Sequence, residues 1–83
     1  MASYKRTESK LLRSGFVLQE QNYRYECWTS ASHRGTISFY KEGDEISAFK
    51  VHSSMPDRPE FDEFNSFYTN SLSRAIEVSK VIV

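Results

Sequence analysis

Residues 36–52 read TISFYKEGDEISAFKVH and carry the clearest strand pattern in the chain. In its first half, Ile37 and Phe39 alternate with polar or amphipathic neighbours, which is the period of a half-buried strand. Gly43 lies in a short polar segment where a turn needs a residue with positive φ. Residues 45–52 alternate again. The short connection predicts an antiparallel hairpin.

Upstream of the hairpin, residues 16–28 are rich in aromatic side chains and also predict strand structure. They open on Phe16-Val17-Leu18, pass through a polar stretch and end on Tyr23-Arg24-Tyr25-Glu26-Cys27-Trp28. One long, bulged strand and a hairpin that turns at Gln21-Asn22 both fit the pattern. No glycine marks a tight turn there, which favours the single strand.

Helices are predicted at both ends of this strand region. Residues 4–13 predict a first helix, with Ser3 as its cap and Gly15 as the left-handed residue that ends it. After a linker at residues 53–59, Asp57 and Glu60 have capping-box spacing for a helix that begins near Arg58. Its apolar stripe comprises Phe61, Phe64, Tyr68, Leu72, Ala75 and Ile76, and a break near residues 69–71 is expected.

The resulting fold prediction is a single α+β domain, residues 1–83, of order α-β-β-β-α. Each helix carries an apolar stripe that needs a partner, so both helices are expected on one face of a three-stranded antiparallel sheet. The other face of the sheet is then open to solvent.

Composition narrows the class of protein. The chain has a single cysteine, which excludes a disulfide-stapled scaffold. Its 39% apolar residues, 27% charged residues and formal net charge of zero are ordinary values for a globular domain. The sequence shows neither a signal peptide nor a stretch long enough to cross a bilayer, so a cytoplasmic protein without membrane contact is expected. Residues 1–41 hold seven basic and three acidic side chains, an excess that could attract an acidic partner.

Surface aromatic and basic side chains are the candidate binding residues. Twelve of the 83 residues are Phe, Tyr or Trp, more than a core of this size can enclose. If Tyr23, Tyr25 and Cys27 face the helices, then Arg24, Glu26 and Trp28 line the open face. Trp and Arg are common hot-spot residues. The predicted partner-binding residues are Arg24, Trp28, Arg34 and Tyr40.

Residue spacing does not favour catalysis or a cofactor. Cys27 lies in mid-strand, where a small apolar side chain is usually packed. Cys27, His33, His52 and Asp57 lack the short spacings of metal ligands, so neither a metal nor another cofactor is predicted.

The stretch Lys10-Leu11-Leu12-Arg13-Ser14-Gly15-Phe16-Val17, followed by Ser32-His33, resembles the opening of the HicA mRNA-interferase toxins. That resemblance implies a double-stranded-RNA-binding-like fold and an RNase in which His33 acts as acid or base. Residues 57–64 and 67–75 resemble the acidic-aromatic segment before the closing helix in small domains of phage and mobile-element proteins. This second resemblance implies an origin and no activity.

The leading functional hypothesis is a small non-enzymatic module that binds another protein, such as a phage-encoded inhibitor or modulator of a host protein. The alternative is an RNA-binding module or RNase-type toxin that uses His33. A homodimer is a further alternative, because the apolar tail Val81-Ile82-Val83 could add to a sheet edge of a second copy.

Overall fold

A computed structural model of the protein describes residues 2–33, 35–53 and 66–81. These residues form an α+β fold that is mostly sheet. The elements in chain order are β1 (Ala2–Ser3), α1 (Tyr4–Arg13), β2 (Val17–Gln21), β3 (Tyr25–Thr29), β4 (Gly35–Glu42), β5 (Glu45–Ser53), β6 (Phe67–Thr69) and α2 (Leu72–Ser79).

The sheet is antiparallel and has six strands, five of them in the spatial order β1-β5-β4-β3-β2. Strand β6 also pairs with β5, over Phe49 to Val51, whereas β1 pairs with the other end of β5 at Glu45 and Ile46. The prediction of a three-stranded sheet is therefore wrong. One predicted strand is two strands in the structure, and the short strands β1 and β6 extend the sheet beyond β5.

The hairpin of β4 and β5 confirms the prediction made for residues 36–52, and Gly43 has the positive φ of 61° that the turn requires. Residues 17–29 form a second hairpin, so the favoured single strand is wrong and the alternative is confirmed. Its turn contains no glycine. The turn is closed by a hydrogen bond of 2.9 Å that the Asn22 N–H donates to the Tyr25 carbonyl. A register shift between Leu18 and Glu20 adds a bulge.

Helix α1 has the predicted bounds, but its cap differs from the prediction. The Ser3 hydroxyl makes no bond to the helix and instead donates to the Asp44 carboxylate at 2.9 Å. The same carboxylate accepts the Lys5 N–H at 3.3 Å, and the Asp44 carbonyl accepts the Tyr4 N–H at 2.7 Å. The turn between β4 and β5 thus caps the helix. Gly15, with a φ of 89°, follows the end of the helix as predicted.

The C-terminal helix is shorter than the predicted one. Residues 67–69 are strand β6, and α2 begins at Leu72, which confirms the break near 69–71 and contradicts helix through Tyr68. Ser71 caps α2 by accepting the Arg74 N–H at 3.3 Å. The predicted capping box and the stripe residues Phe61 and Phe64 lie outside the described residues.

The core lies between the two helices and one face of the sheet. Both helices contribute to a single buried cluster, which supports their predicted placement on the same face. Its members are Leu11, Phe16, Trp28, Ile37, Phe39, Ile46, Phe49, Val51, Ala75 and Ile76. Trp28 is only 2% exposed, so its predicted place on an open face is wrong.

Substitution of Trp28 should therefore destabilise the fold strongly. Trp28→Ala is expected to cost about 3–5 kcal/mol because it leaves a large cavity in the core. In thermal unfolding this corresponds to a fall in Tm of more than about 10 °C, since 1 kcal/mol shifts a domain of this size by roughly 4–8 °C.

Tyr40→Ala is the matched control, because the Tyr40 side chain is 71% exposed. Its Tm should change by less than about 4 °C. If Trp28→Ala does not fold, Trp28→Phe should fold with an intermediate loss. A Trp28→Ala midpoint within the range of the control would contradict this placement of the core.

Candidate functional site

The sheet has one face under the helices and one open face, and the alternation of β3 decides which side chains lie on each. Glu26 and Trp28 are buried under the helices. Tyr25 and Cys27 therefore lie on the opposite face, where they pair in register with Tyr40 and Ser38 of β4. The arrangement on which the predicted binding residues depended, with Arg24, Glu26 and Trp28 on the open face, is therefore wrong.

Three tyrosines and a lysine come together on the open face. They are Tyr25 on β3, Tyr40 on β4, Lys50 on β5 and Tyr68 on β6, and we call them the tyrosine face. The rings of Tyr25 and Tyr40 lie 5.1 Å apart between centroids, tilted by 54°. Tyr68 lies opposite Lys50 in the pairing of β5 with β6. Tyr40 and Tyr68 are 71% and 66% exposed, so both side chains present most of their surface to solvent.

The tyrosine face surrounds a shallow depression of about 400 Å³. Small side chains lie between the tyrosines, namely Ser38 on β4 together with Ser47 and Ala48 on β5. Because these side chains are short, the tyrosine rings project above them. Tyr25 and Tyr40 form the wall on one side, and Tyr68 forms the wall on the other side. Such a depression can hold an extended chain segment across the strands.

The described residues of the tyrosine face carry almost no net charge. Lys50 forms no ion pair with any described residue. Glu20 of β2 lies opposite Cys27 on the same face. Burial, opposed by a hydrogen bond from Ser38 and assisted by the charge of Glu20, raises the pKa of the Tyr25 hydroxyl, which therefore stays protonated at neutral pH. The described residues of the face thus offer hydroxyl groups, apolar ring surface and one cation, Lys50, that forms no ion pair with them.

The three predicted partner-binding residues that the structure describes are not brought together. Tyr40 belongs to the tyrosine face, and Trp28 is in the core. Arg24 is exposed in the turn between β2 and β3, with its guanidinium 5.9 Å from the centre of the Tyr23 ring. Arg34 lies outside the described residues.

Sequence reasoning missed Tyr25, Lys50 and Tyr68 as members of one surface. Tyr68 was assigned to a helical stripe, although Phe67-Tyr68-Thr69 consists of residues that favour strands. Tyr25 was placed under the helices in the arrangement that puts Arg24, Glu26 and Trp28 on the open face. The partners of Glu26 come from distant positions in the chain, and no local pattern reveals them.

The buried Glu26 carboxylate is the most highly coordinated polar group in the described residues. The side chain is fully buried. It accepts hydrogen bonds from the Tyr4 hydroxyl at 2.7 Å, the Gln21 amide at 2.7 Å, the Trp28 indole N–H at 3.0 Å and the Lys41 ammonium at 2.6 Å. These four donors belong to α1, β2, β3 and β4. The carboxylate therefore joins the first helix to three strands.

The four hydrogen bonds determine the protonation state of the Glu26 carboxyl. Burial alone would raise the pKa of the Glu26 carboxyl, but the four donors outweigh burial and hold that pKa below its usual 4.5. A lowered folded-state pKa means that the carboxylate stabilises the fold above about pH 4.5, and that this stabilisation is lost as the pH falls through the lowered pKa. Burial and the adjacent Glu26 also raise the pKa of the Tyr4 hydroxyl, which remains a hydrogen-bond donor.

Glu26 has a structural role, because its side chain is buried under the helices and does not line the depression of the tyrosine face. Lys41 lies over the Tyr4 ring at 4.2 Å in addition to its ion pair with Glu26. Removal of the ammonium leaves a buried charge without its cation, which is among the larger single-site effects in proteins.

Lys41→Met should therefore lower the free energy of unfolding by about 3–5 kcal/mol. Lys50→Met is the control on the neighbouring strand, since Lys50 has no ion pair with a described residue, and it should change stability by less than about 0.5 kcal/mol. Chemical denaturation at neutral pH measures both values. Equal effects of the two substitutions would show that the Glu26 carboxylate does not depend on Lys41.

The loop before β4 holds the second polar cluster, at His33. The Nδ1 of His33 lies 3.0 Å from the Ser32 hydroxyl and 3.1 Å from the Ser30 hydroxyl. Its Nε2 is buried and has no hydrogen-bond partner among the described residues, and the centroid of its ring lies 4.8 Å from that of Phe16, with the rings tilted by 46°. Burial, with a smaller effect of the Lys80 charge, lowers the pKa of His33 below its usual 6.5. One ring nitrogen is therefore engaged by serines, and the other is covered.

Two further properties of the described residues bear on function. No group of three His, Cys, Asp or Glu side chains within residues 2–33, 35–53 and 66–81 is arranged to hold a metal ion. In the same part of the chain, neither helix has the length and apolar character needed to cross a membrane.

Comparisons with known proteins leave the family open. No protein-family model, curated protein or solved structure matches this chain. The features of this chain that bear on function are therefore the tyrosine face and the polar clusters at Glu26 and His33.

Proposed function

We propose that this protein is a non-enzymatic binding module that engages another protein through the tyrosine face. The observation that carries the proposal is the convergence of Tyr25, Tyr40 and Tyr68 on one open sheet surface. Tyrosine is enriched in protein–protein interfaces because it combines a large apolar ring with a hydroxyl that can form hydrogen bonds.

The exposure of these rings supports recognition over folding as their role. Tyr40 and Tyr68 together present large surfaces to solvent, whereas the core aromatics Phe16, Trp28 and Phe49 are almost completely buried. A stable fold therefore does not require Tyr40 or Tyr68. Their position around one depression gives them a shared use in binding.

A catalytic role has less support from the geometry. The RNase alternative needs a ring nitrogen of His33 that can reach substrate, but Nε2 is covered and Nδ1 lies between two serine hydroxyls. Cys27 is buried, and burial raises the pKa of its thiol, which disfavours the reactive thiolate.

The proposal includes a place of action and a type of effect. A cytoplasmic setting fits the single free cysteine. An inhibitor or modulator of a host protein is a role that fits a phage origin, and an origin is all that the resemblance of residues 57–64 and 67–75 implies. Such a protein needs only to occupy a surface of its target, and a small rigid sheet face suits that task.

Loss of two exposed tyrosines should abolish partner binding without unfolding the protein. We expect Tyr40→Ala/Tyr68→Ala to weaken binding by about tenfold or more, because truncation of interface hot spots commonly costs over 1–2 kcal/mol. The measurement is quantitative recovery of a bound protein by the tagged chain from its native cells after nuclease treatment, with unfolding followed in parallel.

Tyr23→Ala is the matched control, since Tyr23 is 90% exposed but lies away from the tyrosine face. The control should retain the partner that the double variant loses. Equal recovery by both variants would refute the proposal. So would recovery that disappears with nuclease or declines steeply with salt, because that behaviour indicates nucleic acid.

A further inference from the structure

We infer that the tyrosine face takes a proline-rich segment of the partner in the polyproline II conformation, with a carboxylate of that segment on Lys50. The inference rests on the proposed function, because it names the chemistry of the partner at the same face.

The spacing of the two walls fits this conformation. Tyr40 is on β4 and Tyr68 is on β6, so they are two strand spacings apart across the sheet. Tyr68 pairs with Lys50 and Lys50 pairs with Ser38, so Tyr40 lies two residues further along its strand than the position level with Tyr68. Standard sheet dimensions place their Cα atoms about 12 Å apart. A polyproline II helix rises about 3.1 Å per residue, so about four residues span the walls. Two prolines about four residues apart would then lie against the two walls.

The chemistry of the tyrosine face suits a chain that has few amide hydrogens because most of its residues are proline. A polyproline II segment has no internal hydrogen bonds, so its carbonyl groups need donors. Tyrosine hydroxyls supply donors, and the rings supply flat apolar surface for proline side chains. The small floor formed by Ser38, Ser47 and Ala48 leaves room for the segment between the walls. Aromatic-lined grooves of this kind recognise proline-rich segments because little conformational entropy is lost on binding.

The charges select among partners. Lys50 lines the depression without an ion pair to any described residue, so it can accept a carboxylate. Glu20 lies at the opposite edge of the face, where its charge acts on Tyr25. One cation and one anion suit a segment with a carboxylate toward Tyr68, and they do not suit a polyanion such as RNA, which gains affinity from several cations.

The test is an NMR titration of the full chain with a synthetic peptide of three Pro-Pro-Glu repeats. The control peptide has three Gly-Ser-Glu repeats, with the same charge but no polyproline II preference. We expect saturable shifts of the amides of the tyrosine face with the proline peptide and at least tenfold weaker binding of the control peptide. Tyr40→Ala should weaken binding at least tenfold, and Tyr23→Ala less than twofold.

A charge reversal tests the contact with Lys50. Lys50→Glu should weaken binding of the Pro-Pro-Glu peptide at least tenfold and bind a peptide of three Pro-Pro-Lys repeats more tightly than the original protein does. Unchanged preference between the two peptides would overturn the assignment of the carboxylate to Lys50.

Three other results would overturn the inference. They are no saturable shift at the tyrosine face, equal binding of the two acidic peptides, and occupation of the face by an octauridylate or by a second copy of the chain. If the native partner still depends on Tyr40 and Tyr68 while the proline peptide does not bind, the inference fails and the proposed function stands. Loss of that dependence removes the proposed function itself.

Discussion

The structure depends on one buried carboxylate. Glu26 is fully enclosed, and its charge is acceptable there because Tyr4, Gln21, Trp28 and Lys41 donate hydrogen bonds to it. A buried charge with fewer donors would be strongly unfavourable. The position of α1 on the sheet and the pairing of β2 with β3 are therefore tied to the same group.

That carboxylate also determines which face of the sheet is open. Side chains alternate along β3, so an inward Glu26 and Trp28 require an outward Tyr25 and Cys27. Tyr25 then meets Tyr40 on the surface, and β6 adds Tyr68 from the far side of β5. The proposed binding surface is thus a consequence of how the core accommodates one polar residue.

Parts of the fold with local signals could be predicted from the sequence. The bounds of α1, the turn at Gly43 and the break before α2 each follow from residues close together in the chain. The β2–β3 turn has no glycine, so its sequence did not distinguish it from a bulged strand. Strand β6 has only three residues and exists because β5 offers it an edge, which is a tertiary effect.

The candidate site was less predictable for a related reason. Trp28 looked like a surface hot spot because Trp is common in interfaces, yet its indole N–H has a buried acceptor in Glu26. The cap of α1 shows the same limit at another place, since the carboxylate that accepts the Lys5 N–H comes from Asp44. In both cases the deciding partner is distant in sequence. Periodicity could identify the two faces of β3 but not which of them is inside.

Hydroxyl-radical footprinting read by mass spectrometry can establish the orientation of β3, on which both the core and the open face depend. The reagent oxidises tryptophan and tyrosine according to their exposure, so one experiment reports on both faces. We expect rapid oxidation of Tyr40 and Tyr68, at rates near that of Tyr23, and strong protection of Trp28 until the protein unfolds. Rapid oxidation of Trp28 in the folded protein, with Tyr40 and Tyr68 protected, would contradict this orientation.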